Sequence, residues 1–115
     1  MQAEVRSIEA NDIPGWPEWH SPTPDTDLRW FTTAVGLAGR PGNDLFQVAV
    51  ATPKGIQERQ DRRTFVGLVV ERFEASAVEE TIRRYVADVV APTWEAIVEQ
   101  LQSKMRWAYQ GRQRA

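Results

Sequence analysis

Cysteine is absent and histidine occurs once in the 115 residues, so several kinds of chemistry drop out at the start. Without thiols there are no disulfides, no cysteine nucleophile, no zinc knuckle and no iron–sulfur ligation. The single histidine, His20, lies in Glu18-Trp19-His20-Ser21-Pro22. Metal sites in cysteine-free chains normally need several histidines or converging carboxylates, and no serine or threonine here has a second base to activate it. His20 therefore reads as an exposed loop residue. No apolar run approaches the roughly 20 residues of a membrane-spanning helix. The opening Met1-Gln2-Ala3-Glu4-Val5-Arg6 lacks the basic-then-apolar order of a signal peptide. These absences point to a chain that stays in the cytoplasm and carries no cofactor.

An excess of basic residues is missing too. Net charge is −2 and the isoelectric point about 5.4, where a nucleic-acid binder would carry a basic stripe. The charge is uneven: residues 1–50 hold seven acids against three arginines, and residues 51–115 nine acids against eleven bases. An acidic N-terminal half suits a basic protein surface better than a phosphate backbone. Two further motifs fall short. Asp25-Thr26-Asp27 opens like a calcium loop but lacks its glycine and distant glutamate, so it reads as two acids at a turn. Gly36, Gly39 and Gly42 precede a strand, whereas a dinucleotide fingerprint precedes a helix.

What is present is an ordinary globular composition, 42% hydrophobic and 26% charged, long enough for one domain over residues 1–115 with a real core. Glu4 to Ile8 alternates as a short strand. Asn11 to Asp27 contains Pro14, Pro17, Pro22 and Pro24, which forbids continuous helix or central strand, and Trp16 and Trp19 pin it as an ordered loop. Leu28 to Gly39 reads as a second strand, with Phe31, Thr33 and Val35 on one face and Leu28, Trp30 and Thr32 on the other. Arg40 to Asp44 is a turn by composition, and Leu45 to Thr52 alternates again. Pro53 ends that strand, and Lys54 to Arg63 reads as a mobile polar loop. Thr64 to Phe73, the most apolar stretch, reads as a central strand covered on both faces.

The last third is helical by period. Ser76-Ala77-Val78-Glu79 has the form of a capping box, followed by an apolar stripe Val78, Ile82, Tyr85, Val86 and Val89. Thr93 caps a second helix with the stripe Trp94, Ile97, Val98, Leu101, Met105 and Ala108. Strands first and helices last predict an α+β fold: a four-stranded, mainly antiparallel sheet with the two C-terminal helices packed on one face. The Pro/Trp loop is expected over part of the other.

Five tryptophans are many for this length, and Trp94 belongs to a helix core stripe. Trp16, Trp19 and Trp30 instead lie among acids, and aromatics beside acids suit a recognition surface for a basic partner. The candidate partner-binding residues are Trp16, Glu18, Trp19, Asp25, Asp27 and Trp30, with the polar loop Gln57 to Arg63 as a second candidate.

Several features resemble the immunity protein 8 family of bacterial polymorphic-toxin and contact-dependent inhibition systems. They are the opening strand Ala3 to Ile8, the Pro/Asp-rich segment before Trp30-Phe31, the strand ending in Gly36, and Asp44 to Pro53 with its Phe-x-Val-x-Val-x-Thr-Pro pattern at 46–53. Leu68 to Phe73, Thr93-Trp94, Leu101 and Trp107 complete the likeness. Ala51 stands where the family often has cysteine. The resemblance implies a small protein that binds a cognate toxin domain in the cytoplasm and blocks it by occlusion. Toxins of such systems are often nucleases, whose basic surface an acidic patch would suit. It offers no catalytic residue to carry over. Two other readings remain open: a ligand-binding protein or enzyme with a pocket between sheet and helices, and a homodimer, rather than a monomer, joined through an exposed strand edge.

Overall fold

The computed structural model describes residues 1–59 and 64–108. Three long strands lead: β1 (Ala3–Ala10), β2 (Leu28–Leu37) and β3 (Asp44–Ala51). They pair antiparallel in the order β1-β2-β3. In β1 the register shifts between Val5 and Ser7. Val5 pairs with Val35 and Ile8 with Thr33, so this bulge turns both apolar residues to the same face although they are three apart. The β2–β3 turn carries Gly39 and Gly42 at φ of 79° and 92°, the left-handed region that favours glycine.

The chain after β3 departs from expectation. Residues Pro53–Arg59 form a helix, α1, in place of the first half of the expected mobile loop; residues 60–63 of that loop lie outside the described residues. The Thr52 hydroxyl accepts from Gly55 N at 3.0 Å, and Pro53 occupies the first helical position, where its missing N–H costs nothing. The helix signal sits in this cap and has no apolar period to announce it.

Following α1 comes β4 (Leu68–Val69), two residues that run parallel to β3. The sheet is therefore mixed, not mainly antiparallel. The expected ten-residue central strand is this short piece at the margin, with Val66 and Val69 about half exposed. Gly67 allows the close approach: a Cβ there would run into the carbonyl oxygen of Ala49.

Two further helices follow, α2 (Ala75–Ala87) and α3 (Trp94–Leu101). Val78, Ile82 and Val86 of α2 and Ile97, Val98 and Leu101 of α3 are buried, as the 3.6-residue period requires. The capping box at Ser76 does not form. Glu74 is the N-cap of α2, without a side-chain bond, and Glu79 instead accepts the Trp16 indole N–H at 2.9 Å. Thr93 does cap α3, accepting from Ala96 N at 3.1 Å. That helix stops at Leu101, and Arg106–Trp107 forms a fifth strand, β5, antiparallel to β3. The expected continuation of the helix to Ala108 is thus a turn and a strand, and among the described residues the sheet has five strands where four were expected.

One core cluster joins alternate residues of the strands (Phe31, Val35, Phe46, Val48, Val50) to the buried stripes of α2 and α3. The start of the chain closes on the α2–α3 connection: Gln2 bridges Val90, Ala91 N donates to Met1 O, and Ala3 N donates to Val89 O.

Candidate functional site

The Pro/Trp loop lies on the core side of the sheet, contrary to its expected place over the other face. Trp16 meets Phe31 edge-on at 4.9 Å between ring centroids, Trp19 meets Phe73 at 6.4 Å, and Phe31 stacks on Phe73 at 6.2 Å. The Arg29 guanidinium carbon lies 5.1 Å from the Trp19 ring centroid, within cation–π range. Both tryptophans are half-buried. They extend the core outward as much as they form a surface.

Asp27 is fully buried. Its carboxylate accepts from Ser21 Oγ at 2.6 Å, from Leu28 N at 3.0 Å, from Arg29 Nε at 2.8 Å and from an Arg59 guanidinium nitrogen at 3.2 Å. Its backbone N donates to Thr52 Oγ1 at 3.1 Å, and its carbonyl accepts from Thr52 N. This one residue ties the Pro/Trp loop, the start of β2 and α1 together, and it has no surface to offer a partner. Asp25 is exposed and paired with Arg72 at 2.9 Å, while Glu18 is exposed. Of the three acids expected at the contact surface, only Asp27 is neutralised inside the fold.

Trp30 behaves differently. Successive strand residues point to opposite faces, so with Phe31 in the core Trp30 projects outward, 40% exposed. The six expected contact residues are therefore divided between two faces of the sheet. Around Trp30 the outer face is built by register. Glu9 pairs with Thr32, Thr32 with Gln47, and Gln47 with Arg106, giving one cross-strand row with an acid at one end and a cation at the other. Leu45 is exposed on this face, and Val66 is exposed beside it. A cleft of about 260 Å³ is lined by Trp30, Gln47, Val66, Gln102, Lys104, Met105 and Arg106. The outward direction of Trp30 follows from strand alternation. Lys104 and Arg106 were missed because their segment reads as helix.

Where a pocket between sheet and helices was an alternative, the space is filled: Phe31, Phe46, Val48, Val50, Ile82, Ile97 and Leu101 are all without exposure. A wider cleft of about 590 Å³ runs instead between the Pro/Trp loop and the start of α2, lined by residues including His20, Ser21, Arg72, Glu74 and Ser76. Arg72 is already held by Asp25 and Glu74. Among the described residues no group of three or more His, Asp or Glu side chains is placed to hold a metal, and no helix is long and apolar enough to cross a membrane.

Compared with known proteins, the chain matches the family model described as immunity protein 8 over residues 3–111. No curated protein and no solved structure matches it.

Proposed function

Because the chain belongs to the immunity protein 8 family, we propose that it binds a cognate bacterial toxin domain through the outer sheet face around Trp30 and blocks it by stoichiometric occlusion, with no chemistry of its own. The observation carrying this placement is Trp30. A tryptophan 40% exposed, lining one cleft with exposed Val66 and with Gln47, Lys104 and Arg106, has the make-up of an interface anchor. The filled core supports a surface binder over an enzyme with an interior pocket. The encounter belongs in the cytoplasm, a reducing compartment that suits a chain without cysteine. Of the loop acids, Asp12 and Glu18 are exposed and left to meet a basic toxin surface, since Asp25 and Asp27 are occupied by arginines.

The test is co-expression with a candidate toxin domain encoded in a neighbouring gene. Growth arrest by the domain should be relieved, and a one-to-one complex should be recovered. Trp30→Ala should weaken that complex by about 30-fold or more, the cost of an interface hot spot, while the melting temperature stays near that of the parent. Full affinity in the variant would move the contact surface elsewhere. Unrelieved arrest by the parent protein would defeat the reading.

A further inference from the structure

We propose that the cleft beside Trp30 receives an acidic segment of the toxin, with carboxylates seated against Lys104 and Arg106; this rests on the reading just given and names the partner's chemistry at the same site. Two cations carry the inference. Arg6, Arg29, Arg59, Arg72 and Arg84 are all committed to carboxylates of the chain itself. Lys104 and Arg106 have no ion-pair partner among the described residues, and both are exposed. They line the same cleft as Trp30 and Val66. The acid of their own cross-strand row, Glu9, is three strand spacings from Arg106, about 14 Å, beyond a physiological screening length of about 8 Å. No carboxylate of the described residues therefore answers their charge.

Both cations stand on fixed backbone. Pairing of Gln47 with Arg106 and the bond from Ala108 N to Leu45 O at 2.8 Å hold β5 on the sheet. Lys104 N donates to Leu101 O, which holds the turn after α3. A carboxylate arriving here meets two positive charges beside an indole face that excludes water, where charge-assisted bonds strengthen. At about 260 Å³ the cleft suits one or two side chains of a docking segment; sites for whole small ligands run from about 300 to 1,000 Å³. A nucleic-acid strand is the poorer occupant. Two cations are few against the roughly six to ten phosphate contacts of a typical binder, and the chain's net charge is −2.

Association kinetics of the full chain with the purified toxin domain that it neutralises test the proposal. The paired change Lys104→Glu with Arg106→Glu should slow association at low salt by about 10- to 100-fold, and the difference should shrink several-fold at 0.5 M salt. Lys104→Gln with Arg106→Gln should give an intermediate loss, and melting curves should show both variants folded. Arg83→Glu, exposed on α2 on the other side of the sheet, should change the rate less than threefold. An unchanged or faster rate for the glutamate variant, with the complex still forming, would overturn the acidic segment and leave the toxin-binding reading standing. Failure of the parent protein to bind would end both. Binding of a single-stranded oligonucleotide that Arg106→Glu abolishes would replace the acidic segment with a phosphate strand.

Discussion

Asp27 shows how far composition is from location. In the sequence it is one more acid in an acidic loop; in the fold its carboxylate receives a hydroxyl, a backbone amide and two guanidinium groups with no exposure to water. Removing a carboxylate so placed strands two arginines and unfastens the loop from β2 and α1. Asp27→Ala is expected to cost about 2–3 kcal/mol of stability, the loss of charge-assisted hydrogen bonds to partly exposed arginines, read as a lower denaturant midpoint. Asp25, exposed on Arg72, is worth no more than about 1 kcal/mol. A loss below 1 kcal/mol at Asp27 would show that the cluster is a surface feature in effect. Gly55 belongs to the same arrangement, since a Cβ there would run into the carbonyl oxygen of Asp27. That oxygen already accepts from Thr52 N.

Among the elements, β2, β3 and the buried stripes of α2 and α3 were legible because each repeats its signal several times over. Alternation placed Phe31 and Trp30 on opposite faces without any knowledge of their neighbours, and the structure puts Phe31 inward and Trp30 outward. The Thr93 cap was equally plain, and the hydroxyl does accept from Ala96 N. Ser76 carried the same signature and failed, because the helix already begins at Ala75 with Glu74 as its N-cap, which puts Ser76 inside the first turn; Glu79 meets the Trp16 indole, 63 residues distant in sequence. Thr93→Ala should therefore cost about 1 kcal/mol, and Ser76→Ala close to nothing; equal losses in thermal melts would contradict these geometries. α1 was illegible for the opposite reason, its information being confined to Thr52 and Pro53. The brevity of β4 and its parallel direction depend on where the chain returns after α1, which no local pattern encodes. The same holds for the acids of the Pro/Trp loop, whose arginine partners Arg59 and Arg72 lie 32 and 47 residues further on.

For the molecule as a whole, the outer face and the core side are separately maintained. The side chains that hold the loop, α1, α2 and α3 in place lie on the core side of β2 or beyond its ends, so Trp30, Lys104 and Arg106 can change without disturbing them. The seam between residues 1–3 and the α2–α3 connection is another matter. It joins parts of the chain far apart in sequence (the Gln2 side chain reaches Ala87 O across 85 residues) through few bonds, one of them 3.3 Å long, next to an exposed Val90. Closing so long a loop is entropically costly and rewarded late. Amide protons here should therefore escape through a partial opening that leaves β2 and β3 intact. Deuterium uptake at Ala3 and Ala91 is expected to be at least about tenfold faster than at Val35 and Val48; uniform protection across all four would mean the seam opens only with everything else. The leading edge of the sheet should be the part that lets go first.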